Sequence, residues 1–571
     1  MIPLRLDEVA EATGGVVHGC DDPASVLVDG PVTTDSRECG PGGLYVARVG
    51  EHADGHDYVP AALAAGAVAV LGSRPVDGVG VVVDDVQEAF GRLARVVVDR
   101  AVAGGLHVVG ITGSSGKTST KDLLASVLAG SGETVAPVNS LNGEIGVPLT
   151  VCRVTPTTRH LVVEMGARGV GHIDYLTRIA PPAVAVVLNV GSAHVGEFGS
   201  RENIARAKSE LPRAVAADGL SVLNADDPLV RGMADGLASR VVLVGTAPDA
   251  DVRATGVTLD PLGRARFTLD TAGGSRPVTL RQSGAHHVGN ALAVAAVALE
   301  LGVGLDDVAH RLSEAVAVSR WRMEVTERPD GVTVVNDAYN ANPESMLAAL
   351  EALAAIETDG RRWAVLGSML ELGEDADAEH AALLGHATRL GVDEVVAVGD
   401  GARAIGVPTW VPDRDAAHDL LADRLRPGDV VLLKSSRDSG LRWLGDRLAG
   451  TGEYAPSVTL STDPSTDPAT TTSTSRAAGA SSGGGGGVRP DDGHARAGAG
   501  PDGILDGSRD DILDDDRGER PDETSGTDHT SEPGDTDSDG MHSDTTRPPT
   551  SPDGTGDGSD TSETGDGGRA R

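Results

Sequence analysis

Lysine is nearly absent from this 571-residue chain: among 48 lysine and arginine residues only Lys117, Lys121, Lys208 and Lys434 are lysine. Codon bias explains the scarcity but not the placement. Arginine supplies the general surface charge, so a surviving lysine marks a position that wants a compact ammonium or a deprotonatable amine. Cysteine is equally sparse. Cys20, Cys39 and Cys152 are scattered without metal-type spacing, which argues against structural zinc and against a disulfide framework. No stretch of about 18 apolar residues occurs, and residues 1–8 lack a basic, apolar export signal. The expectation is a cytoplasmic monomer without membrane insertion. A net charge of −37 argues against a nucleic-acid partner, which would need concentrated basic surface to displace counterions. No period of about 20 to 50 residues repeats, so a solenoid is not indicated.

The negative charge is concentrated at one end. Residues 461–571 hold 25 acidic and nine basic side chains and no aromatic one, in a background of Gly, Ser, Thr, Asp and Pro. Such a segment buries too little apolar surface to offset an ordering cost of roughly 1.5 kcal/mol per residue. Residues 456–571 are expected to be a disordered, acidic, low-complexity tail.

What is present is a phosphate cradle. Residues 106–120 read LHVVGITGSSGKTST: an apolar strand, a glycine loop, then a lysine and hydroxyl side chains opening a helix. Glycines let backbone N–H groups close around phosphate oxygens, and the following helix aims its positive dipole end at the same place. The strict Walker A pattern would put glycine at Ile111, so the match is to a tighter Gly113-x-x-Gly116-Lys117-Thr118 form. The candidate ATP contacts are Gly113, Ser114, Ser115, Gly116, Lys117, Thr118 and Ser119. Lys117 would reach the terminal phosphates and Thr118 would hold Mg²⁺.

The length suggests three or four domains. Residues 1–103 mix short strands and helices as a small α/β domain. From 104 to 318 strands alternate with helical patterns, predicting a central, P-loop ATPase-like domain with a parallel sheet. Over 319–455 the alternation restarts as a Rossmann-like unit, with strands near 332–335, 363–366, 394–398 and 430–433. The fold class is α/β in three domains plus the tail.

Three residues could join the phosphate loop. Glu164 ends the apolar strand 161–164, and ligand crevices form at such strand ends in open parallel sheets. That makes it a Mg²⁺ ligand candidate, against a merely solvated carboxylate. His194 follows the buried strand 183–188 and reaches the same edge. Lys208 shares the apolar stripe of a helix predicted over 201–216 with Ile204, Ala207 and Leu211. A buried ammonium is costly unless paired. Either it snorkels outward, or it is deprotonated and reacts with CO₂ to give a carbamate that ligates metal.

The runs TGSSGKTST (112–120), SLNGEIGVPLT (140–150), EMGARGVGHI (164–173), NVGSAHVGEFGS (189–200) and ARAKSEL (205–211) resemble, in order, the Mur ligase family. NDAYNANPESM (336–346) and VLGSMLELG (365–373) are similar to the members that add D-alanyl-D-alanine to UDP-N-acetylmuramoyl-tripeptide. The resemblance covers about residues 4–448. It implies three domains and ATP-dependent amide formation through an acyl phosphate, the last cytoplasmic step of peptidoglycan precursor synthesis. The alternative is a Mur or folylpolyglutamate-type ligase that adds a single amino acid.

By resemblance, Lys117 steadies the phosphates, Glu164, His194 and Thr118 hold Mg²⁺ at two sites, and Lys208 is the family's carbamylated lysine. Asn290 meets adenine, although His287 stands where the family commonly has Asn. Arg322 and Asp337 approach phosphate and ribose from the third domain. Ser36, Arg37 and Asp54 contact the UDP group, with Asn142 nearer the reacting end. Tyr339, Asn340, Asn342, Lys434 and Arg437 are acceptor candidates, a cation there meeting the D-Ala-D-Ala carboxylate. Ser435 and Arg442 depart from the family's Gly and Glu.

Overall fold

The computed structural model describes residues 1–192 and 195–451. Two expectations, His194 and the tail at 456–571, lie outside the described residues.

The apolar strand before the glycine loop, His107–Thr112, is buried along almost its whole length. It sits inside a nine-stranded sheet, flanked by Thr158–Glu164 and Val184–Val187 in parallel register. An unalternating apolar run is what a strand covered on both faces requires. From one edge the order is Glu133–Val135, Thr158–Glu164, His107–Thr112, Val184–Val187, Leu220–Asn224, Arg240–Gly245 and Val252–Leu259, all parallel. Arg264–Thr271 and Gly274–Ser283 then complete the sheet in antiparallel register. The expected parallel sheet therefore needs correcting at this flank. The links between these last strands are only a few residues long, and a parallel return needs a crossover of a dozen or more. Helices Lys117–Ala129 and His287–Glu300 pack on each other against this sheet through Leu124, Val127, Leu128, Ala291 and Leu292.

The helix predicted over 201–216 is broken. Arg201–Lys208 and Glu210–Arg213 are separate helices, because Pro212 has no N–H to offer the carbonyl of Lys208 four residues earlier. Lys208 thus ends its helix.

Towards the N-terminus, Val32–Thr33, Gly43–Val46, Ala67–Gly72 and Gly80–Val82 form a parallel sheet, with Val16–His18 antiparallel at its edge. The helix Val86–Ala103 packs on helices Gly146–Val151 and His172–Ile179. One apolar cluster includes Leu4, Phe90, Val97, Leu161 and Val215. The chain position near 103 is a change of element within a shared core.

The third sheet runs Glu324–Glu327, Thr333–Asn336, Val430–Lys434, Arg362–Leu366, Glu394–Val398 and Thr409–Val411, parallel except for its first strand. Thr333–Asn336 and Val430–Lys434 are neighbours, so the segments that follow them emerge side by side. The three cysteines form no disulfide. Among the described residues, no helix is long and apolar enough to cross a membrane.

Candidate functional site

The glycine loop leaves the strand His107–Thr112 and enters the helix at Lys117. Its last residue, Gly116, has φ +80°, and a Cβ there would lie 2.8 Å from Asn290 Oδ1. Only glycine accepts that backbone without strain. Asn189 buttresses the loop: its Oδ1 accepts from Ser115 N at 2.9 Å and its Nδ2 donates to Ser115 O at 3.2 Å. Gly191 N donates to Ser114 Oγ at 2.9 Å. Lys117 Nζ folds back to donate to Gly113 O at 2.8 Å, where a phosphate-binding lysine can wait over its own loop.

Glu164 is fully buried at the end of its strand. Its Oε2 accepts from Thr118 Oγ1 at 3.1 Å, and its Oε1 from Ser140 Oγ at 2.9 Å and Asn142 Nδ2 at 2.8 Å. Arg322 Nη2 donates to Thr118 Oγ1 at 3.3 Å. The structure thus collects Lys117, Thr118, Glu164, Asn142 and Arg322 in one place. Ser140 is a member that sequence reasoning named only within a block. Its signal was its place two residues before Asn142.

Charge makes this cleft unusual. Burial lowers the Lys117 ammonium's pKa; Glu164 opposes the shift and Arg322 adds to it. Lys208 is 5% exposed. Burial, then the repulsion of Lys117, holds its pKa well below that of a free amine. Among the described residues its amine has no hydrogen-bonding or ion-pair partner. Three cations therefore converge near one carboxylate in a chain of net charge −37. Such an arrangement is stable only when a polyanion, or loss of a proton, relieves it.

The remaining candidates divide between two surroundings. Asn342 caps the helix Pro343–Ala355 by accepting from Ser345 N, while its Nδ2 donates to Ser114 O at 3.3 Å, across from the third sheet to the glycine loop. Glu344, which sequence reasoning did not single out, makes a second crossing: its Oε1 accepts from Ser192 N at 2.6 Å. Gly191 lets it in, since a Cβ there would lie 2.6 Å from that carboxyl. Tyr339 carries the Arg322 guanidinium over its ring at 4.3 Å and Arg437 at 5.9 Å. Lys434, 3% exposed, donates to Asp337 Oδ2 at 2.6 Å and Asn340 O at 3.0 Å. Its ammonium thereby holds the 337–340 segment in place. Asn290 Nδ2 lies 3.5 Å from His287 Nδ1, and the His287 Nε2 is buried without a partner.

Ser36, Arg37 and Asp54 stand apart on the N-terminal sheet. Arg37 pairs with Asp35 at 2.7 Å. Asp54 accepts from the backbone and ring of His56 and pairs with Arg74 at 2.7 Å. The backbone N–H of His56, foremost, lowers the Asp54 carboxyl to about 2. Asp35 and Asp54 each cap a one-turn helix, Ser36–Glu38 and Gly55–Tyr58, and both turns pack on the helix Val59–Ala64.

Comparison with known proteins bears on the same residues. Residues 31–100 match the Mur ligase catalytic domain, 111–298 the Mur ligase middle domain and 321–437 the Mur ligase glutamate ligase domain. The UDP-N-acetylmuramoyl-tripeptide–D-alanyl-D-alanine ligase of Mycobacterium tuberculosis is 48% identical, over 78% of this chain and 98% of its own length. That of Escherichia coli is 35% identical, over 77% and 97%. A crystal structure of MurF from Acinetobacter baumannii superposes with a TM-score of 0.71 at 32% identity, covering 78% of this chain and 99% of that one. The MurF ligase of Thermotoga maritima in complex with ADP gives 0.66 at 29%, covering 74% and 98%.

Proposed function

Because this chain belongs to the Mur ligase family, we propose that it joins D-alanyl-D-alanine to UDP-N-acetylmuramoyl-tripeptide at the expense of ATP. The substrate carboxylate takes the γ-phosphoryl group, the dipeptide amine attacks the acyl phosphate, and phosphate leaves as the amide forms. The observation that carries the reading is the convergence of Lys117 and Arg322 on the glycine loop. Phosphoryl transfer spreads charge over several oxygens, and positioned cations stabilise it better than a strong base would.

Gly113 to Ser119 cradle the phosphates through backbone N–H groups and the helix end. Lys117 releases Gly113 O to meet the terminal phosphates. Arg322, whose Nε is buried without a partner, has donor capacity left for the same anion. Asn290 takes adenine and Asp337 the ribose. The oxygens of Thr118 and Glu164 fit magnesium, which favours oxygen ligands and keeps several waters, with His194 added by family resemblance alone; when bound it would supply neutralising charge to the phosphates. Lys208 fits a carbamate. Its amine is buried, without a partner among the described residues and depressed in pKa, so its nitrogen can bond to the carbon of CO₂ and give up a proton. The product is an anion where a lone cation was costly.

Ser36, Arg37 and Asp54 receive the UDP end, and Asn142 lies towards the reacting carboxylate. Tyr339, Asn340, Asn342 and Arg437 receive the dipeptide, on a segment that Lys434 holds. The chain works as a cytoplasmic monomer. The test supplies ATP, Mg²⁺, the UDP-linked tripeptide and D-alanyl-D-alanine, and looks for ADP and the pentapeptide by mass. Equal product with single D-alanine or glutamate as acceptor would overturn the dipeptide assignment.

A further inference from the structure

Among the described residues only four non-glycine positions have a left-handed backbone, and two of them flank Arg322: Trp321 at φ +59° and Met323 at φ +52°. Large side chains rarely adopt this conformation, and it persists only where the surroundings over-determine it. Here they do. Trp321 Nε1 donates to both oxygens of Asp446, at 3.0 and 3.1 Å, and its backbone N donates to Glu324 Oε2 at 3.1 Å. Met323 N donates to Asp337 Oδ1 at 3.1 Å. The indole meets Trp443 edge-on at 5.2 Å and lies beneath the Arg320 and Arg442 guanidinium groups.

Asp446 anchors this arrangement from the helix Leu441–Ala449. It is 4% exposed, pairs with Arg320 at 3.0 Å and accepts from Asn336 Nδ2 at 3.3 Å. Just upstream, Ser319 N donates to Asp122 Oδ2 at 3.0 Å, on the helix that the glycine loop opens. The tripeptide is therefore tied to the third sheet's layer immediately after the chain leaves the central one. Between its two strained residues, Arg322 reaches back to Thr118.

We propose that Trp321 is a positioning residue: pinned by Asp446, it holds the 321–323 turn in the conformation that delivers the Arg322 guanidinium to the phosphate loop. This rests on the phosphate role given to Arg322 above. A relaxed turn would swing that side chain away from Thr118, and misplacement of about 1 Å can cost roughly a hundredfold in rate.

The experiment uses the full chain with Trp321→Phe, Asp446→Ala, Asp446→Asn, Arg322→Ala and the double variant Trp321→Phe/Arg322→Ala. Hydrogen exchange over 319–324 reads the pinning without any substrate. Protection is expected to fall in Trp321→Phe and Asp446→Ala and to persist in Asp446→Asn, whose side-chain oxygen still accepts from the indole. Unchanged protection in the first two would overturn the proposal. Ligation kinetics read the consequence: kcat falls about ten- to a hundredfold in the same two variants and holds in Asp446→Asn. In the Arg322→Ala background Trp321→Phe should cost nothing further, since coupled residues are non-additive. Additive losses would overturn the positioning role. Absence of ligation by the unmodified chain would overturn the functional reading instead, leaving the exchange result to judge the turn.

Discussion

At Gly116 the backbone needs φ +80° and has no room for a methyl group beside Asn290. Gly116→Ala should cost about 1–2 kcal/mol from the left-handed backbone, and should raise KM for ATP by displacing Asn290; melting curves and initial rates check both. Lys208 makes a prediction of opposite sign for stability and activity. Burial lowers its folded pKa, so below the unfolded value the unfolded amine holds a proton that the folded one does not. Stability then rises with pH across that window. In CO₂-free buffer Lys208→Met should melt higher than the unmodified chain at pH 7, with the gap closing as pH approaches the free-amine value of 10.5. The same variant should ligate at background level, and short carboxylic acids, but not bicarbonate, should partly restore it. Normal turnover in Lys208→Met would remove the carbamate from the mechanism.

Elements were read from sequence to the extent that they announce themselves locally. The strand at 107–112 and the loop behind it were legible because an unalternating apolar run followed by glycines has few other readings. The break at Ser209 was not foreseen, although Pro212 stood in plain view, because the apolar stripe runs on past it. The antiparallel flank at 264–283 was missed for a related reason: short links, not residue types, set its direction. Ser140, Glu344 and Trp321 were not singled out because each acts across a large sequence separation. The loop helix, Lys117–Ala129, gives a test at this scale. Arg311 donates to Val127 O at 2.9 Å and Gly130 O at 3.3 Å, closing the negative end of that helix. Arg311→Ala should lower stability by about 0.5–1 kcal/mol in denaturant titration while leaving the KM for D-alanyl-D-alanine unchanged.

The molecule as a whole joins two cored layers at one cleft, with Asn342, Glu344 and Arg322 reaching from the third sheet to the central one. Relatives align with about 78% of the chain while being covered almost completely themselves. A chain ending at Ala455 is accordingly expected to keep the kcat of the full chain, and a loss in coupled ADP-release assays would assign the acidic segment a part in turnover. The cleft's crossings also explain why its composition was easier to read than its closure: motif order names the participants, but only the fold shows which ones meet.

Lys121, Lys208 and Lys434 are each at most 5% exposed, and Lys117 is partly covered beneath its loop. Acylating reagents that seek primary amines should therefore modify the lysines of the folded chain only slowly. Labelling of Lys117, read by peptide mapping with and without nucleotide, becomes a footprint of occupancy in a protein whose exterior offers that chemistry almost nothing else.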